Sequence, residues 1–176
     1  MKILTQFKIK HRYFFFLSLF LSLSCVSKNS TDPYKEGIFA TPNGDEIKVT
    51  LALSESDQQR GLSGLRPSDF SKDQGMLFYS LEDDLRSFWM PDTYFDLDIF
   101  FLDKDFKIID VDRKVPHYIG KEFPERIPRT RTVYARHVFE MRADSEIAKN
   151  LKVNDQLIWK FQVSPSQIES KIRQLQ

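Results

Sequence analysis

Between Gly75 and Leu102 the chain sets two apolar, strand-length runs around a cluster of large side chains and carboxylates. Gly75 to Tyr79 is short and wholly apolar. An acidic turn with Glu82, Asp83 and Asp84 leads to Ser87-Phe88-Trp89-Met90, which stops at Pro91, a residue with no N–H to give to a ladder. Leu97 to Leu102 follows and is apolar on both faces except for Asp98. A fold that accommodates this stretch must bury a sheet here, with Trp89, Met90, Asp92, Thr93, Asp96 and Asp98 gathered beside it.

The flanking sequence supplies more strands. Gly37 to Ala40 and Glu46 to Leu53 read as a hairpin around Asn43-Gly44, a strong turn signal. Its second strand alternates Ile47, Val49, Leu51 and Leu53 against polar residues, the pattern of a half-buried strand. Ser54 and Asp57 have capping-box spacing for a short helix that Gly61 ends. Leu62 to Phe70 reads as a loop. Asp103-Lys104-Asp105 should turn Leu97–Leu102 back into Phe106–Val111 as a second hairpin.

Val115 to Arg131 is an irregular loop with Pro116, Pro124 and Pro128 and the bases Lys121, Arg126, Arg129 and Arg131. Loops of this length commonly carry function or move. Thr132 to Met141 reads as one strand with Val133, Ala135, His137, Phe139 and Met141 on one face. A short helix from Ala143 to Leu151, a strand from Gln156 to Val163 and a polar C-terminal helix complete the chain. The sum is a mainly β chain: a small barrel- or sandwich-like antiparallel sheet domain with two or three short helices.

The ends mark an exported protein. Lys2, Lys8, Lys10 and Arg12 precede an apolar run from Tyr13 to Leu23, the make-up of a secretory signal over residues 1–24. Cys25 follows directly and is the only cysteine, so no intramolecular disulfide can form. Its position, with Ser24 before it and Leu21 upstream, is similar to a bacterial lipobox, in which the cysteine is acylated with palmitate-type chains and becomes the first mature residue. Each acyl chain contributes about 0.8 kcal/mol per buried methylene to membrane attachment. Residues 25–36 then form the anchor and a polar tether, residues 37–163 the β domain and residues 164–176 the final helix. Val26, in place of Asp after the cysteine, points to the outer rather than the inner membrane under Gram-negative sorting, with the domain in the periplasm or at the cell surface. Removing Lys2, Lys8, Lys10 and Arg12 takes Lys plus Arg from 26 to 22 against 25 acidic residues, so net charge passes from +1 to −3. A nucleic-acid partner would want the opposite sign.

Ile47 to Phe161 resembles the bacterial and archaeal family called domain of unknown function 192. The likeness is carried by Leu53 to Leu62, Gly75-Met76-Leu77-Phe78, Phe88-Trp89-Met90 with Thr93, Leu97-Asp98-Ile99, and His137-Val138-Phe139-Glu140-Met141 through Val153-Asn154-Asp155. The resemblance implies a compact, mainly β, often exported domain and supplies no activity. Pro91-Asp92 stands where the family tends to have Lys-Asn, and Asn154 where it tends to have Gly.

The candidate ligand-binding residues are Arg60, Trp89, Met90, Thr93 and Asp98. Trp89 and Met90 serve either as core or as contact residues. Asp98, if buried, needs a partner, for which Arg60 is the candidate. Asp92, Asp96 and Asp98 beside Trp89 and Phe95 also match the make-up of a glycan hydrolase, in which carboxyls move protons and rings stack on sugars. The plainer reading of Asp92 and Asp96 is local turn bonding. The histidines, His11, His117 and His137, lack metal-ligand spacing, so no metal and no cofactor are expected. The expectation is a lipid-anchored binding or accessory module of the cell envelope, partnered by the membrane and by a glycan, small molecule or protein. The alternatives are the hydrolase and a purely structural lipoprotein.

Overall fold

The computed structural model describes residues 32–175. The signal segment, Cys25 and the first part of the tether lie outside these residues. Strand β1 (Glu36–Ala40) turns at Asn43-Gly44 into β2 (Glu46–Ala52), pairing Phe39 with Ile47 and Gly37 with Val49. Gly44 sits at φ +90°, where a side chain would be strained. Helix α1 (Glu55–Arg60) is capped by Ser54, whose Oγ accepts the Asp57 N–H at 3.1 Å. It leads back to β3 (Gln74–Phe78), which runs parallel to β2. This parallel pair departs from an all-antiparallel sheet, because the turns and loop after α1 return the chain to the start of β2 rather than to its end.

The remaining strands are antiparallel. β5 (Leu97–Leu102) pairs with β6 (Ile108–Val115) as a hairpin and, on its other edge, with β8 (His137–Arg142). β8 pairs in turn with β3. β9 (Ile158–Trp159) adds to β1, so the main sheet runs β6-β5-β8-β3-β2-β1-β9. A small ribbon is formed by β4 (Asp84–Arg86) and β7 (Val133–Ala135). The stretch expected as one strand from Thr132 to Met141 is therefore two, separated by a bend at Arg136.

The main sheet curls until its ends nearly meet. Residues just before β9 bond to the start of β6: Ile108 N–H donates to Asp155 O at 2.9 Å and Leu157 N–H to Phe106 O at 3.1 Å. Inside the curl lies one core of Phe39, Ile47, Phe100, Phe139 and their neighbours. Helix α2 (Glu146–Asn150) and helix α3 (Pro165–Leu175) close it, through Ala148 and through Ile168 and Ile172. The outer face of β3, β5 and β8 carries a second core, with Met76, Phe78, Leu97, Ile99, Phe101 and Val138 under Leu62, Phe70, Met90 and Ile127. Among the described residues no helix is long and apolar enough to cross a membrane.

Candidate functional site

Strand β8 alternates between the two cores. Phe139 and Met141 belong to the interior of the curl and Val138 to the outer core. Glu140 follows Val138 by two residues and shares its outer face. There it stands opposite Met76 of β3 and Ile99 of β5. Above this part of the sheet pass the end of α1 with Gly61 to Ser63, and the segment from Phe88 to Thr93. Between them and the sheet lies a cleft of about 50 Å³, lined by Phe78, Leu97 and Glu140 below and by Arg60, Trp89, Met90 and Thr93 above.

The segment from Phe88 to Thr93 is held in place from outside by the long proline-rich loop. Phe88 N–H donates to Thr130 Oγ1 at 2.9 Å, Met90 N–H to Pro128 O at 3.1 Å and Thr93 N–H to Tyr118 O at 2.9 Å. The loop is thus pinned along its length and acts as a buttress. Its bases are partly engaged: Arg129 lies over the Trp89 ring at 5.1 Å, and Arg131 bonds Asp110 and Asp112.

Glu140 is 4% exposed, and no hydrogen bond reaches its carboxyl among the described residues. Burial in this apolar setting pushes its pKa up from 4.5 to about 8. A buried acid without N–H donors is a costly feature for a fold to keep. This is the property that marks the cleft. Sequence reasoning did not select Glu140. The signal was present, because it is the one acid in a six-residue strand and has apolar Val138, Phe139 and Met141 around it.

Of the candidates expected from sequence, Arg60, Trp89, Met90 and Thr93 meet at this cleft and Asp98 does not. Trp89 is 46% exposed at the rim while Met90 and Thr93 are buried, so adjacent residues split between contact and core roles. Asp98 shares its strand face with Phe100, towards the interior of the curl. Its partner is Arg113, not Arg60: Arg113 Nη1 donates to Asp98 Oδ2 at 2.6 Å and the Lys114 N–H to Oδ1 at 2.9 Å. Arg60 pairs instead with Asp57 one helical turn away, at 3.1 Å. The hairpin β5–β6 brings Arg113 beside Asp98, whereas α1 lies on the other side of the sheet.

The three aspartates do not form a common site. Asp92 accepts from the Tyr94 hydroxyl at 2.9 Å and sits at φ +50°, a turn role. Asp96 binds His117 through both the ring and the backbone, at 2.6 and 2.9 Å. His137 is buried beside Tyr79 and Phe106 and accepts the Ser80 N–H on Nδ1 at 3.1 Å. Burial, reinforced by Arg136 and Arg86, lowers its pKa to about 3, so it is a neutral core residue. Among the described residues no three His, Cys, Asp or Glu side chains are grouped to hold a metal ion.

The family model of domain of unknown function 192, described as "Uncharacterized ACR", matches residues 38–159. A proposed transcription regulator from Sinorhizobium meliloti 1021 has a crystal structure that superposes with a TM-score of 0.56 at 26% identity, over 71% of this chain and 92% of that one. A protein of unknown function from Novosphingobium aromaticivorans DSM 12444 superposes with a TM-score of 0.55 at 20% identity, over 70% and 84%, a likeness of fold alone. No curated protein matches the chain. The match takes in the outer core, the cleft and the main sheet from Ile38 in β1 to Trp159 in β9, and the chain belongs to the domain of unknown function 192 family.

Proposed function

We propose that this chain is a lipid-anchored binding module of the cell envelope, whose ligand enters the cleft between Trp89 and Glu140. The observation that carries the reading is the unbonded carboxyl of Glu140 at the base of a cleft rimmed by an exposed tryptophan. A purely structural domain has no use for that pair. The signal-like residues 1–24 and the lipobox-like Cys25 support the envelope setting. The glycan-hydrolase alternative gains no support from the cleft. It presents one carboxyl, whereas glycoside hydrolysis uses two facing carboxyls about 5–10 Å apart. The description of the Sinorhizobium meliloti protein is not carried over, because this chain without residues 1–24 has an acidic excess.

Two measurements test the two halves of this reading. Intact mass of protein purified from membranes should give a chain that starts at an acylated Cys25, and Cys25→Ala should leave the protein unacylated. An unmodified full-length chain in both would refute the anchor. For binding, a small-fragment screen read by side-chain methyl NMR should shift Met90, Leu62 and Leu97 together. Shifts confined to other surfaces, or none, would refute the cleft.

A further inference from the structure

We propose that the cleft recognises a primary ammonium group on an alkyl arm, with Glu140 as its counter-charge. This rests on the binding reading above and gives that ligand a chemistry.

Donors line the cleft, the Ser63 hydroxyl and the Trp89 indole N–H among them, but among the described residues none bonds the Glu140 carboxyl. Gln58 spends its amide N–H groups on the carbonyls of Ala52 and Tyr79, at 3.3 and 3.0 Å, and Gln59 donates to Glu55 at 3.0 Å. The Thr93 hydroxyl donates to Pro91 O at 3.3 Å, which leaves its oxygen as an acceptor. Glu140 itself has two acceptor oxygens and receives no hydrogen bond among the described residues. The side chains of Met76 and Ile99, its partners across the strands, carry no polar hydrogen. Arg60 is the other charged side chain lining the cleft, and it is turned out to Asp57. Arg142, two residues along the same strand, is engaged by Asp144 and by the carbonyls of Pro67 and Phe70.

A buried carboxyl that no lining donor reaches calls for a ligand that brings its own donors. An alkylammonium brings three N–H donors and the charge that an ionised Glu140 lacks. The walls suit it as well. Phe78 and Phe88 meet edge to face at 4.7 Å, and aromatic faces attract cations, while Trp89 at the rim already carries Arg129 over its ring at 5.1 Å. The cleft's 50 Å³ exceeds the roughly 10–15 Å³ that one water needs, so it admits an ammonium and its first methylenes. The rest of the arm would leave past Trp89.

The test uses the full mature chain in detergent micelles, with the Met90 methyl resonance as the readout. It is titrated with n-butylammonium, n-butanol and butyrate at equal ionic strength. Butylammonium should shift Met90 while the neutral and anionic analogues do not. Its apparent affinity should rise about tenfold between pH 7 and pH 9, as the fraction of ionised Glu140 rises. Glu140→Gln should abolish the response with the amide spectrum otherwise preserved, and Glu140→Asp, which keeps the charge, should retain a weaker one. Butanol or butyrate binding as well as the amine, or amine affinity falling as pH rises, would overturn the proposal. Fragments that bind the cleft with no preference for amines would overturn it and leave the binding reading standing, whereas no fragment binding at all would remove both.

Discussion

At the scale of single residues, the two buried acids are held in opposite ways. Asp98 is paired: Arg113 reaches it and also the carbonyls of Ala148 and Leu151 at the end of α2. Arg113→Ala should therefore lower stability by roughly 3 kcal/mol, since it strands a buried charge. Arg60→Ala, which removes an exposed pair, should change it by less than about 0.5 kcal/mol. Urea midpoints of the two variants decide this, and equal losses would remove Arg113 from the role given to it. The pairing was not legible in the sequence. Counting back from Asp103-Lys104-Asp105 sets Asp98 opposite Asp110, and only the register shift between Phe101 and Leu102, which puts Ile99 opposite Asp112, brings Arg113 beside Asp98. The polar run Asp112-Arg113-Lys114 hides this, because it reads as the end of the strand rather than its middle. Glu140 has no partner among the described residues, and burial raises its pKa from 4.5 to about 8. Between those values the unfolded chain has released a proton that the folded protein keeps, so stability falls as pH rises across that window. Glu140→Gln should match the parent near pH 4 and exceed it by roughly 5 kcal/mol at pH 9. Thermal melts at the two pH values measure the difference, and a gap of the same size at both would show that Glu140 does not titrate as described.

Among the elements, β8 matters most, because it lies between β5 and β3 and feeds both cores. Its packing dictates a glycine on the neighbouring strand. A Cβ on Gly75 would stand 2.3 Å from the Phe139 ring and 3.2 Å from Glu140 O. Phe139 is fully buried and has nowhere to retreat. Gly75→Ala should cost about 2 kcal/mol by overpacking. Gly44→Ala, strained at φ +90° but with open space around it, should cost closer to about 1 kcal/mol. Chemical denaturation of both variants tests that order, and a reversed order would mean that β8 yields more readily than its burial suggests. Elements built by local chemistry were readable from sequence: the Asn43-Gly44 hairpin, the Ser54 cap and the apolar β5. Those set by distant partners were not. The bend at Arg136 puts Ala135 in the outer core and leaves His137 against Tyr79 and Phe106, although strict alternation from Ala135 would place both on one face. The parallel return to β3 was hidden because Leu62 to Phe70 carries loop signals and no mark of direction.

For the molecule as a whole, two cores share one sheet. β5 gives Phe100 and Leu102 to the interior of the curl and Leu97, Ile99 and Phe101 to the outer core, and β8 does the same with Phe139 and Val138. Neither core can come apart without withdrawing alternate residues of these strands from the other. The domain should therefore unfold in a single transition rather than as two lobes. The two tryptophans report on the two sides. Trp159 packs on the interior core, donating Nε1–H to Val163 O at 2.8 Å, and Trp89 stands over the outer one at the cleft. In Trp89→Phe the emission comes from Trp159 alone, and in Trp159→Phe from Trp89 alone. Within each variant, the urea midpoint from fluorescence should coincide with that from far-ultraviolet circular dichroism, whatever the substitution does to stability. If the Trp89 signal is lost at lower urea than the circular dichroism signal, the cleft side opens by itself. The Phe88–Thr93 segment is then a separable cover over Glu140, and the buttressing loop does not bind it to the fold.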